Sequence, residues 1–183
     1  ALEALLAAGA RGDSVTASRV VDAVFEFASD ADVLAKLLKS IAPQTLATRL
    51  INLGTAPTAT LLQEHTMERL VLTLAVLCGA RRAFHDDADG VEGGAKHDER
   101  GAETVAALPV IRATAPQTRA LVASTAAAPL LVPLLRDASR PSVVLASLRC
   151  LDALLESPDA TEAPLLRARA LEGATHALKA ALA

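Results

Sequence analysis

An all-α fold follows from three features of the chain. Apolar residues recur at helical spacing along nearly every long segment. No segment sustains the two-residue alternation of β-branched side chains that marks a strand. Ala and Leu, the strongest helix formers, fill most of the apolar positions. Hydrophobic residues make up 52% of the 183 positions and aromatic residues 2%, with no Trp and no Tyr, so the core has to be aliphatic. That length suits one domain or about four helix-pair repeats.

The elements are expected in this order. Leu2, Leu5 and Leu6 open an apolar stripe that closes at Gly9 to Gly12. Ser14 or Thr16 caps the next helix, whose face is Val20, Val21, Val24, Phe25 and Phe27. Asp30 or Asp32 caps a third segment with Leu34, Leu37, Leu38 and Ile41. Pro43 fits a first helical turn, and Gly54 is placed to end the helix carrying Leu46, Leu50, Ile51 and Leu53. A helix starting at Thr58 to Thr60 runs towards Phe84, with a break near Glu64–Thr66. Val105 to Ile111 read as a short helix, and Pro116 as the start of another through Leu121. Pro129 and Pro133 punctuate Leu130 to Leu135. Pro141 precedes a strongly periodic helix with Val144, Leu145, Leu148, Leu151, Leu154 and Leu155. Leu165, Leu166, Leu171, Leu178 and Leu182 mark a last segment.

One stretch breaks the pattern. Residues 85–101, HDDADGVEGGAKHDERG, are acidic, Gly-rich and nearly devoid of large apolar groups, which reads as an inserted loop. The chain is therefore expected to be a single helical domain over 1–183, with helical units at 1–84 and 102–183 on either side of that insertion. Both ends stand in helical pattern, as in a segment cut from something longer.

The chain also resembles itself. RVVDAVFE at 19–26 matches RCLDALLE at 149–156 at Arg, Asp, Ala and Glu, and RLINLG at 49–54 is a shorter copy. Each copy follows a Leu-rich short helix and a small polar turn, as in LEALLAAGARGDSVTA, LAKLLKSIAPQTLA and LVPLLRDASRPSVVLA. Such units resemble the helix pairs of armadillo and HEAT repeats, most closely over residues 128–157, and the likeness extends over about two-thirds of the chain. The resemblance implies a right-handed α-α superhelix of short helices. It also implies a groove lined by one helix of each repeat, with Arg19, Asp22, Arg49, Asn52, Arg149 and Asp152 on it. INLG at 51–54 resembles the ending of the armadillo consensus and puts Asn52 at the family's ladder position, with Asp22 and Asp152 at matching positions. Nuclear-import members of that family line their groove with Trp and Asn on successive repeats. This chain has no Trp and a single Asn, so the likeness does not extend to that ligand.

An Arg/Asp-lined groove suits an extended peptide held through backbone and carboxylate contacts. The bland reading of Arg19–Asp22 and Arg149–Asp152 is an i,i+3 pair supporting its own helix by a few tenths of a kcal/mol. His85, Asp86, Asp87 and Asp89 invite a metal reading, but the calcium-loop spacing fails: with Gly90 at position six, position twelve is Lys96 where a Glu is needed. Arg11-Gly12-Asp13 spells an adhesion tripeptide at an expected turn. Phosphate-loop, nucleophile-elbow, zinc-protease and C-x-x-C motifs are absent from the sequence, and His65 and His176 stand alone on helices.

The net charge of −3 and pI near 5.8 argue against a nucleic-acid footprint. No run reaches the ~18 apolar residues of a membrane span. Cys78 and Cys150 read as separate, buried, reduced thiols, which points to a reducing, cytoplasmic setting. The expected function is a non-catalytic scaffold or adaptor, a structural subunit binding protein partners in a larger assembly, without cofactor or metal. By family analogy that assembly is cytoskeletal or ciliary. The alternative is a compact helical bundle acting as a ligand-binding regulator or helical enzyme, which would bring residues 1–30 near 150–183.

Overall fold

A computed structural model describes residues 14–80, 108–137 and 139–155. All regular structure among them is helical. Helix α1 spans Ser14–Ser29, α2 Ala31–Leu37, α3 Pro43–Thr55 and α4 Glu64–Leu77. Helix α5 spans Pro109–Thr125, the short α6 Val132–Leu134, and α7 Pro141–Leu155. A 3₁₀ turn, Pro57–Leu61, joins α3 to α4, and a π turn, Ala127–Leu131, joins α5 to α6.

Local sequence sets most of these boundaries. Asp30 sits in extended backbone and its carboxylate accepts from the Asp32 and Val33 N–H groups at 2.9 and 3.0 Å, satisfying two of the free donors at the start of α2. Pro43 occupies the first turn of α3 and Pro109 that of α5, where no backbone donor is lost. Helix α4 ends in a Schellman motif. The Gly79 N–H bonds the Val76 carbonyl at 2.8 Å and the Ala80 N–H the Ala75 carbonyl at 3.0 Å, with Gly79 at φ +83°.

Four expected boundaries shift. Thr58 to Thr60 lie in the 3₁₀ turn, and the long helix starts only at Glu64. Helix α4 stops at Leu77, well short of Phe84, because Gly79 takes the left-handed conformation that ends it. Gly54 lies inside α3, where its role is packing: a Cβ there would meet both Leu130 methyl carbons at 3.1 Å and Leu70 Cδ2 at 3.3 Å. Pro116 lies within α5 instead of starting a helix. Its ring removes the hydrogen bond to the Arg112 carbonyl, but Arg112, Ala113, Pro116 and Gln117 are all exposed, so water can serve the freed oxygen.

Packing centres on α4. From Thr66 to Leu77 every residue is buried except Glu68 and Arg69. Its most extensive neighbour is α7, then α1, with α3 and α5 touching it from elsewhere. Helix α3 packs chiefly on α5. Helices α1 and α7 make at most marginal contact with each other, so α4 lies between them. The core is aliphatic throughout, with Leu34, Leu46, Leu50, Leu53, Leu70, Leu74, Leu77, Ile111, Leu131, Leu135 and Leu151 essentially inaccessible. Each such side chain contributes about 1.5–3 kcal/mol on leaving water. Helix α1 turns Ala17, Val20, Val21, Val24 and Ala28 inward. That face is narrower than the sequence pattern implied, because Phe25 is half-buried and Phe27 is exposed.

Candidate functional site

The six groove residues divide between two packing groups. Arg19 is exposed and Asp22 half-buried on α1. Arg149 is half-buried and Asp152 exposed on α7. Within each helix the pair stands one turn apart on one side. Arg49, half-buried, and Asn52, exposed, belong to α3, whose main partner is α5. The copy RLINLG thus occupies a helix that packs differently from the two longer copies.

The contact that Asp22 makes crosses between helices. Arg69 of α4 donates from Nη1 to Asp22 Oδ1 at 2.8 Å, and its Nη2 lies 3.9 Å from Glu26 Oε1. The same guanidinium stands over the Phe25 ring, 5.1 Å from its centroid. Asp22, Phe25 and Glu26 lie on adjacent turns of α1, so one arginine spans all three. The two side chains of the main pair are 34% and 33% exposed, which limits the pair to under ~1 kcal/mol, with about 0.5–1 kcal/mol more from the ring.

Arg69 was not among the residues singled out in the sequence, although a signal existed. In EHTMERLVLTLAVL the only charged residues beyond the first turn are Glu68 and Arg69. A cation inside so apolar a helix needs a partner, and α1 offers acidic residues at matching spacing.

The joint between α4 and α7 has a different chemistry. Near the start of both helices, the Ser142 hydroxyl donates to Glu64 Oε1 at 2.8 Å. Further along, Cys150 and Cys78 are both fully buried. The Cys78 side chain, together with burial, pushes the Cys150 thiol well above its ordinary pKa. The sequence placed these cysteines 72 positions apart and gave no sign of that effect.

Two further groups fix the ends of these helices. Arg119 of α5 donates from Nε to the Cys78 carbonyl at 2.7 Å, placing a cation at the C-terminal end of α4, where the helix dipole favours it. Before α7, Asp137 accepts from the Ser139 hydroxyl at 2.5 Å and from Arg140 Nε at 2.6 Å. Those bonds, Ser139 first and then Arg140, hold its carboxyl below the usual carboxylate range.

Among the described residues no group of three or more His, Cys, Asp or Glu side chains is arranged to hold a metal ion. His65 is exposed on α4. His85, Asp86, Asp87, Asp89, His97, Asp98 and the Arg11-Gly12-Asp13 tripeptide lie outside the described residues, as does His176. No helix among the described residues is long and apolar enough to cross a membrane. Comparison with protein-family models, with characterised proteins and with solved structures finds no match for this chain.

Proposed function

We propose that this chain is a non-catalytic scaffold, a run of armadillo/HEAT-like helix pairs that holds a protein partner along the charged side of α1, α4 and α7. The observation that carries the reading is the order of packing. Helix α4 lies between α1 and α7, α3 lies beside α5, and α1 and α7 scarcely touch. Neighbour-to-neighbour packing of this kind is what a stacked repeat array requires, because each helix pair buries its apolar face only against the next. A closed bundle of the described helices alone would instead bring α1 and α7 together.

The charged residues suit a polar partner. Arg19, Asp22, Glu26, Arg69, Arg149 and Asp152 present both signs along successive helices, a pattern fitted to a peptide backbone flanked by charged side chains. The two Arg/Asp copies, one on α1 and one on α7, would then repeat one binding unit at the two flanks of α4. Arg49 and Asn52 belong to a second face in this reading.

The test is affinity capture with the purified chain beside two variants, Arg19→Glu/Arg149→Glu and Arg49→Glu, each checked for native helix content. A partner held by the parent and by Arg49→Glu but lost by the double variant supports the reading. A partner held equally by all three removes the charged side of α1 and α7 from the interface. Small-angle scattering tests the architecture separately. A compact domain of this length has a radius of gyration of about 16 Å, and a value no larger than that would favour the closed bundle.

A further inference from the structure

We propose that Ser139 is a phosphoacceptor site, and that a phosphate placed there takes the Arg140 guanidinium away from Asp137 at the approach to α7. The proposal stands on the geometry of the segment between α6 and α7 and is independent of the groove along α1, α4 and α7.

Exposed hydroxyls among the described residues are of two kinds. Ser40, Thr48, Thr55, Thr60, Ser124 and Thr125 each donate to a backbone carbonyl three or four positions earlier, within their own helix or turn. Ser139 differs in place and in partner. It lies outside both helices, after α6 ends at Leu134 and before α7 starts at Pro141. It is exposed, and its hydroxyl donates to the Asp137 carboxylate at 2.5 Å instead of to a carbonyl. An acceptor serine has to be drawn into the cleft of the enzyme that modifies it, and a turn can yield where a helix cannot without losing its own hydrogen bonds.

The neighbours of Ser139 are cationic. Arg136, exposed, stands three residues before it, and Arg140, half-buried, directly follows it. An arginine is a planar cation that carboxylates grip in bidentate fashion. Arg136 therefore offers a handle to a serine kinase whose substrate cleft is lined by carboxylates. In the transfer, Ser139 Oγ attacks the γ-phosphorus of a nucleoside triphosphate. The new O–P bond forms as the bond to the β,γ-bridging oxygen breaks. The nucleoside diphosphate leaves, and the hydroxyl proton passes to a base of the kinase and then to solvent.

The product changes what holds the turn. A phosphoserine carries a charge of about −1.5 to −2 at neutral pH and three strong acceptor oxygens. It removes the hydroxyl donor that Asp137 now uses and sets a like charge beside that carboxylate. Arg140 at present donates from Nε to Asp137 Oδ2 at 2.6 Å. The dianion is the stronger acceptor, so Arg140 turns to it. Asp137 thereby loses both side chains that hold its carboxyl low.

The experiment incubates the full-length chain with Mg-ATP and an arginine-directed serine kinase, and maps the phosphopeptides. Ser139 should carry phosphate in the parent chain, and Ser139→Ala should lose that phosphopeptide. Arg136→Ala should slow incorporation at Ser139 about tenfold, the loss of one charge-assisted contact to the kinase, with unchanged helix content. In the phosphorylated chain the Asp137 carboxyl, followed by carbon NMR, should titrate at higher pH than in the unmodified chain. A parent chain unmodified at Ser139, or modified there only after heat unfolding, would overturn the site, as would an unchanged rate for Arg136→Ala. An Asp137 titration that phosphorylation leaves in place would overturn the transfer of Arg140.

Discussion

The two joints that flank α4 differ in kind. Towards α7 the contact is the more extensive, apolar, and closed around a pair of buried thiols. Towards α1 it has an apolar base of Val20, Val21 and Val24, but its rim is a half-exposed arginine reaching across to two carboxylates and a ring. Apolar burial scales with area, whereas a half-exposed ion pair is worth little. The α7 joint should therefore carry more of the stability, and the α1 joint should be the one that loosens first.

The largest expected effect comes from breaking the stronger joint. Leu151→Ala, at a residue 2% exposed, should destabilise the fold by about 2–5 kcal/mol in chemical denaturation. A loss below about 1 kcal/mol would mean the α7 joint is not the dominant one. Gly79→Ala comes next. An L side chain at φ +83° costs about 1–2 kcal/mol, and the added methyl would sit 3.3 Å from Arg119 Nη2. Thermal melting should show the loss, and Gly79→Asn, which tolerates that conformation better, should lose less.

Arg69→Ala sharpens the comparison at the weaker joint. It should cost about 1–2 kcal/mol and raise amide exchange in α1 around Val20 to Phe25 while leaving α7 unaffected. Equal acceleration in α7 would show that the two joints open together. The smallest effect concerns the approach to α7. Because Asp137 is held below its ordinary pKa, its bonds stabilise the folded state above the unfolded carboxyl value, near 4, and that contribution is lost as pH falls through the lower folded value. Asp137→Asn should therefore be slightly less stable at neutral pH and show a shallower decline below about pH 4. Identical acid profiles for the two chains would remove Asp137 from the account.

Much of the helical plan was legible because it depends on neighbours in sequence. Asp30 caps α2, Pro43 and Pro141 begin helices, and the 3.6-residue pattern of Val20, Val21 and Val24 picks the buried face of α1. Failures came where the surroundings of a residue, and not its sequence neighbours, set the outcome. Pro116 reads as a helix start by local rules, yet its turn faces water and the helix runs through. Gly54 reads as a helix end, yet Leu130 and Leu70 press against it from 76 and 16 positions away. The six groove residues were found by self-similarity, which reports helical units but not which helices become neighbours.

The sequence by itself determined that the described residues are helical, that their core is aliphatic, and where several of the helices begin. Propensity, capping and periodicity are local properties, and the energies behind them act within a turn or two. Only the tertiary structure decided that α4 is the central helix and that Asp22 answers to Arg69 and not to Arg19. Those pairings depend on which faces stack, and helix faces of Leu, Val and Ala are chemically too alike for composition to choose between them. The choice is made by shape once the helices pack, when a missing Cβ at Gly54 or a left-handed turn at Gly79 admits one neighbour and shuts out another.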